Sequence, residues 1–323
     1  MKPYVVTADI KLLLTQWGMP SLGETSFGRP PLKQGWHYYI DDRIFWKFRK
    51  DFREMMEKIF PHFDFIPEEE FTEGFRYLFW QSSNKVDNLI SLDRAYNGSM
   101  DESGIALQLN RAVNSIGQSA GYQTRSFTPS ISDQLKTLVK NYGNEYEFGL
   151  CDDVIFTGAY MEYAASLVKK SGLNFRKIFA GVGVKTGCDR LRTLGYIVEC
   201  VREYPEVIDV VCERDFYPGV PFSGRTLAGS KNVGVPYLLP FGKPYEWASI
   251  PLEWQQPFSC FCIEQTISLF ESIEKESHKK IACRHLGRKV VGLPTDGTRF
   301  VDALNRLLIN SSLNKAMLVY PPG

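Results

Sequence analysis

From Gly121 to Cys212 the chain alternates short apolar runs with amphipathic ones, and that rhythm restricts the fold more than any other feature. GYQTRSF (121–127), EFGLCDDVIF (147–156), FRKIFAGVGV (175–184) and the pair YIVECV and VIDVVC (196–212) have the length and composition of strands. SDQLKTLVKNYG (132–143), AYMEYAASLVKKSG (159–172) and CDRLRTLG (188–195) lie between them, with helical spacing and glycines at their ends; a serine cap begins the first. Strands joined by helices cross over right-handedly into a mostly parallel sheet flanked by helices, so the expected class is α/β. Upstream, DNLISLDR (87–94) reads as a strand and YNGSMDESG (96–104) as a polar loop. IALQLNRAVNSIG (105–117) reads as a helix closing on Gly117.

Helical material flanks this core on both sides. Residues 1–36 hold one short apolar segment and a Gly- and Pro-rich stretch, read as an irregular arm lying on the main body. Ile44, Phe45, Phe48, Phe52, Met55, Met56 and Ile59 recur at helical spacing up to Pro61, and EEEFTEGFRYLFWQ (68–81) carries acids in its first turn. Residues 236–257 contain five prolines and little periodicity, which suits a long connector or lid. CFCIEQTISLFESIEKE (260–276) and TRFVDALNRLLINSS (298–312) complete a helical C-terminal region. The expected division is 1–84 as arm and helical extension, 85–235 as the α/β core, and 236–323 as connector and helical region.

Composition narrows the partners. A net charge of +1 provides no global basic field for nucleic acid, so such binding would need a local patch. No apolar run approaches the roughly 20 residues of a membrane helix, and Asp9 and Lys11 interrupt the first apolar segment, against a signal peptide. Seven scattered cysteines, an odd number, fit reduced thiols in the cytoplasm better than a disulfide framework.

The most informative stretch is Leu150-Cys151-Asp152-Asp153-Val154-Ile155-Phe156-Thr157-Gly158. It drives a strand into two adjacent carboxylates, turns, and starts a helix at once. Ligands in open parallel sheets sit at the carboxyl ends of strands, where Asp152 and Asp153 are expected. The turn Phe156-Thr157-Gly158-Ala159-Tyr160 would present helix N-terminal N–H groups to an anion, with Gly158 allowing close approach and Thr157 adding a donor. The two carboxylates could accept hydrogen bonds from sugar hydroxyls and help hold Mg²⁺ through oxygen ligands. Together these features describe a ribose 5-phosphate pocket; the plainer alternative is a strand end followed by a helix start.

At these residues the sequence resembles the type I phosphoribosyltransferases, whose signature is an apolar strand, two acids, two or three apolar positions, then Thr-Gly and a helix. The resemblance implies that Asp152 and Asp153 bind the ribose hydroxyls of phosphoribosyl pyrophosphate and that residues 156–160 bind its 5-phosphate. Two positions depart from the family. Tyr160 stands where a phosphate-binding Thr is common, and Phe156 stands where purine-salvage members place an acid beside the base. The resemblance also puts a pyrophosphate site after an earlier strand, where Ser103 and Gly104 would open a helix and Arg94 and Arg125 are candidate cations. It puts an acceptor hood over CERDFYPGVPFSGRT (212–226), with Asp215 as acceptor, Phe216 or Tyr217 to stack on a base, and Arg225 to reach a phosphate. A polar surface turn and a Pro-Gly turn over packed aromatics are the plain alternatives.

Other motifs fail on spacing. GVGVKTG (181–187) has its third Gly one residue late for a dinucleotide fingerprint and reads as core strand and turn. GRTLAGSK (224–231) reverses the Lys-Ser order of a P-loop. Cys260, Cys262, His278, Cys283 and His285 are spaced wrongly for zinc. HKKIACRHLGRK (278–289) is the strongest basic patch, either a solvated face or a contact for RNA or a nucleotide phosphate. The expected protein is therefore a phosphoribosyltransferase acting on phosphoribosyl pyrophosphate with Mg²⁺, homo-oligomeric, with an undefined acceptor. The rival is an inactive nucleotide-sensing or partner- or RNA-binding module on the same fold. The elaborated build resembles the phosphoribosyltransferase-like domains of bacterial conflict and phage-defence systems, which implies an effector role and a protein or RNA partner.

Overall fold

The computed structural model describes residues 1–16, 42–81, 86, 88–93, 95–96, 105–125, 128–143, 145–230 and 232–313. The chain opens with β1 (Tyr4–Thr7), α1 (Ile10–Gln16), α2 (Asp42–Ile59), β2 (Phe63–Ile66) and α3 (Glu68–Gln81). Strands β3 (Asn88–Ser91), β4 (Leu109–Val113) and β5 (Ser119–Thr124) follow, then α4 (Ile131–Tyr142), β6 (Glu147–Ile155), α5 (Ala159–Lys170), β7 (Asn174–Val184), α6 (Lys185–Thr193) and β8 (Ile197–Tyr204). The remainder comprises β9 (Asp209–Cys212), β10 (Arg225–Leu227), β11 (Val233–Val235), α7 (Pro244–Ala248), α8 (Gln255–Ser277), β12 (Lys289–Val290) and α9 (Phe300–Leu313).

The protein is α/β, with parallel sheets flanked by helices. One parallel sheet has the order β3-β6-β7-β8 and a second has the order β2-β1-β9. Alternation along β6 and β7 divides the core in two. Phe148, Leu150, Ile178 and Ala180 pack beneath α4, α5 and α6, against residues such as Leu135, Met161 and Leu191. Cys151 and Phe179 face the other way, toward Phe71 and Phe75 of α3 and a larger core that also includes α2, α8 and α9; Val182 joins that core past a break in the alternation. Among the described residues no helix is long and apolar enough to cross a membrane.

Two expectations are corrected. The N-terminal segment is not an arm: β1 is the central strand of its sheet, and Tyr4, Val5 and Val6 are fully buried; residues 17–36 of the expected arm lie outside the described residues. Residues 105–117 are not a helix. β4 and β5 form an antiparallel hairpin within a separate five-stranded sheet, β12-β11-β10-β4-β5. The side chain of Asn114 closes its turn, with Oδ1 accepting from the N–H groups of Ile116 (3.1 Å) and Gln118 (2.9 Å). Such a local side-chain bond competes with helical hydrogen bonding. At α4 the cap is Ser130, whose Oγ accepts from Asp133 N–H at 3.1 Å, two residues before the expected start.

Candidate functional site

Strand β3 pairs with β6 only as far as Cys151, where Leu92 N–H donates to the Cys151 carbonyl at 2.7 Å. Beyond that point, among the described residues, β6 pairs with β7 alone, and Asp152 and Asp153 border a crevice at the carboxyl ends of the strands. A cavity of about 120 Å³ opens there, between β6, β9 with the turn after it, the β4–β5 hairpin, and Tyr237 and Trp247 from the 236–257 segment. That segment is thus part of a cavity wall rather than only a connector.

Alternation sends the two aspartates to different surroundings. Asp153 follows Cys151 toward β9: its Oδ2 accepts from Arg214 Nη2 at 2.9 Å and from the Cys212 thiol at 3.0 Å. Arg214 also pairs with Asp9 and lies 3.6 Å from Asp93, so one guanidinium joins the carboxyl ends of β1, β3, β6 and β9. Burial pushes the Asp153 carboxyl up, but Arg214, the Cys212 thiol and Arg125 outweigh it and hold the group below the ordinary carboxylate value. Asp152 differs. It accepts from the Asp153 backbone N–H, and among the described residues no cation reaches ion-pair distance of it. Burial, then Asp153 and Asp93, drive its carboxyl well above the ordinary value, against the weaker pull of Arg111.

The basic wall explains how an anion could enter. Arg111, Arg125 and Arg225 all line the cavity, and none has an ion-pair partner among the described residues. Arg225 lies over Trp247 (4.5 Å to the ring centre) and Tyr237 (5.4 Å) in cation–π contact, and its Nε donates to the Tyr237 hydroxyl at 3.4 Å. Arg125 covers Phe222 at 5.4 Å and donates to the Leu92 carbonyl at 3.1 Å, leaving its buried Nε without an acceptor among the described residues. Arg111 is open to solvent within the cavity, 5.9 Å from the Tyr160 ring. Behind this wall Arg288, from the supposed basic patch, turns inward and donates to Thr226 Oγ1 at 2.7 Å; burial and the nearby Arg125 lower its guanidinium pKa.

The expected site residues separate into groups. Asp152, Asp153, Phe156, Tyr160, Arg125, Asp215 and Arg225 border one cavity. Asp215 is held by the Gly224 N–H at 2.8 Å. Thr157, Gly158 and Ala159 do not line it. They form the tight turn into α5, with Gly158 at φ 76° against the Gly187 carbonyl and Ala159 N–H 3.4 Å from Thr157 Oγ1. Phe216 is corrected: it is fully buried, edge-on to Phe258 at 4.9 Å, and unavailable to stack on a ligand. Tyr217 is likewise buried, its hydroxyl donating to Gln265 Oε1 at 2.7 Å. Arg94, Ser103 and Gly104 lie outside the described residues, but the helix that Ser103 and Gly104 were expected to open is absent, since the chain continues from Ile105 into β4.

Sequence reasoning missed Arg111, Arg214, Tyr237 and Trp247. Arg111 was hidden by the helical reading of 105–117. Arg214 adjoins Asp215 within a stretch that was already of interest, but no spacing rule singles it out.

No protein-family model matches this chain, and no curated protein matches it. Among solved structures it is similar to an adenine phosphoribosyltransferase from Thermoanaerobacter pseudethanolicus ATCC 33223, over 42% of this chain and 82% of that one, with 11% identity and a TM-score of 0.28. What this chain itself shows is the α/β class and a cavity at the carboxyl ends of its strands.

Proposed function

We propose that the cavity binds a phosphorylated ribose compound, phosphoribosyl pyrophosphate or a related nucleotide, and that the chain transfers its phosphoribosyl group to an acceptor. One observation carries this reading: among the described residues Asp152 is a buried carboxylate with no cation at ion-pair distance, and it faces a cavity whose Arg111, Arg125 and Arg225 have no ion-pair partner there. Arginine guanidinium groups match phosphate oxygens in bidentate geometry, and a carboxylate accepts hydrogen bonds from vicinal sugar hydroxyls. Arg111, Arg125 and Arg225 are assigned to phosphate. Asp152 is assigned to the ribose rim, and Asp153, fixed by Arg214, to holding Asp152 in place through its backbone N–H.

The residues also fit a magnesium ion. Mg²⁺ is usually held by one or two carboxylates together with substrate phosphates, rather than by a complete protein cage. Among the described residues Asp152 has no ion-pair partner, so its oxygens can serve that role, while Asp153 is already occupied by Arg214 and Cys212. When bound there, Mg²⁺ would neutralise charge on a departing pyrophosphate.

Binding without turnover is a second reading, favoured by Tyr160. Its ring lies on the cavity wall, 5.2 Å from Tyr122, in place of a small phosphate donor. Calorimetry with phosphoribosyl pyrophosphate and Mg²⁺, followed by assay of pyrophosphate release with candidate bases and nucleotides, separates the two. Binding abolished by Asp152→Asn and Arg111→Ala supports the site, and release supports transfer. No binding by the folded chain rejects both readings.

A further inference from the structure

We propose that Cys188, Cys200 and Glu203 form a binding site for a thiophilic divalent cation of the zinc class, separate from the cavity. Cys188 lies on α6, and Cys200 and Glu203 lie on β8. Their Sγ atoms are 3.7 Å apart. In a tetrahedral zinc site with Zn–S bonds of about 2.3 Å, two thiolates sit about 3.8 Å from each other, so this pair already spans one edge of the tetrahedron. A disulfide would need the sulfurs to close to about 2.05 Å. A carboxylate oxygen of Glu203 completes the trio, with all three ligand atoms within 4.8 Å of one another.

The surrounding backbone makes room for this trio. A Cβ at Gly183 would lie 2.4 Å from the Cys200 sulfur and 2.5 Å from the Cys188 sulfur, so both thiols rest on a residue that has no side chain. β8 also departs from strict alternation. Val201 packs on Gly74 of α3 and Arg202 reaches Glu70 of α3, while Cys200 and Glu203 both turn toward α6. Two ligands three residues apart are thereby brought to the same side.

Arg192 supports the carboxylate from behind. Its Nη1 and Nη2 donate to Glu203 Oε1 (3.0 Å) and Oε2 (2.6 Å), and Nη2 also donates to the Val198 carbonyl at 3.1 Å. Outer partners of this kind orient metal ligands, and each carboxylate oxygen keeps a lone pair for the ion. Charge balances as well once Asp189, which shares Arg192 at 3.1 Å and pairs with Lys185 at 2.8 Å, is included: two thiolates and two carboxylates are matched by a divalent cation, Arg192 and Lys185. On binding, the two thiol protons leave to solvent as two S–metal bonds form. Water takes the fourth position. Cys188 is buried, Cys200 half-buried and Glu203 exposed, so the open side of the site reaches solvent.

The test uses the full chain, reduced and stripped with chelator, then equilibrated with zinc or titrated with cadmium. The expected result is one metal per chain by elemental analysis, with thiolate-to-cadmium charge-transfer absorption. Cys188→Ser combined with Cys200→Ser should abolish both signals. Glu203→Gln, a change at an exposed side chain that does not threaten folding, should weaken affinity roughly tenfold or more. Cys260→Ser should change neither. The proposal is overturned if the reduced chain, with its seven thiols counted intact after denaturation, takes up no metal. It is equally overturned if the Cys188/Cys200 double variant and Glu203→Gln bind as tightly as the parent, or if the pair forms a disulfide while the reduced form ignores zinc and cadmium.

Discussion

Arg214 Nη2 donates to Asp153 Oδ2 at 2.9 Å across 61 residues of sequence, and this bond makes two adjacent aspartates chemically different. Asp153 is ionised and occupied. Asp152, on the opposite side of the strand, is buried, and among the described residues no cation reaches ion-pair distance of it. A carboxylate left in that state inside a cavity is a costly feature for folding alone and a useful one for binding a cation or a polyol.

Replacing Arg214 with Met should be strongly destabilising. It would strip Asp9, Asp93 and Asp153 of the guanidinium they share, leaving them buried together with the weaker pull of Arg125 on Asp93 and Asp153, and breaking a buried pair from one side costs about 3–5 kcal/mol. Urea unfolding measures this directly. A loss under about 1 kcal/mol would show that the network does not hold the strand ends together.

Asp152→Asn should do the opposite. Because burial, Asp153 and Asp93 raise the folded-state pKa of Asp152, its protonated form favours folding; that contribution is present in acid and is lost as pH rises through the raised value. Without ligand, and with chelator present, the Asn variant should therefore melt higher than the parent at pH 7.5, by roughly 2 °C or more. The gap should close toward pH 4, where the parent carboxyl is neutral. Gained stability together with lost ligand binding is the mark of a residue kept for function. An equal gap at both pH values would count against the assignment.

Arg225 offers a test of the basic wall. Arg225→Ala should weaken binding of phosphoribosyl pyrophosphate at least tenfold by calorimetry, while unfolding free energy moves by less than about 1 kcal/mol, because Arg225 has no ion pair among the described residues. Arg225→Lys should fall between the two, since lysine keeps the charge but lacks the planar, forked guanidinium that matches phosphate oxygens. Full affinity in the Ala variant would remove Arg225 from the site.

Gly187→Ala tests the turn into α5. An added Cβ would meet the Phe156 carbonyl oxygen at 2.3 Å and the Gly158 nitrogen at 2.9 Å, and neither backbone atom can yield cheaply. A cost of about 1–3 kcal/mol is expected by thermal or urea unfolding. An unchanged midpoint would mean that α6 does not pack against this turn as described.

The α/β class and the central order of strands and helices were legible because strand and helix periodicities are local, and β6, α5, β7 and α6 each carry a clear one. The acids of β6 were legible for the same reason: charge at the end of an apolar run can be read within a few residues. The 105–117 hairpin was not, since Ile105, Leu109, Ala112 and Ile116 satisfy helical spacing well enough, and the deciding bond comes from the side chain of Asn114. By itself, then, the sequence determined the elements and marked Asp152 and Asp153 as residues in need of partners. Only the tertiary structure decided who those partners are. Arg214, Arg111, Trp247 and the buried Phe216 take their roles from elements of three sheets and the 236–257 segment coming together, and contacts between residues distant in the chain leave no periodic trace along it.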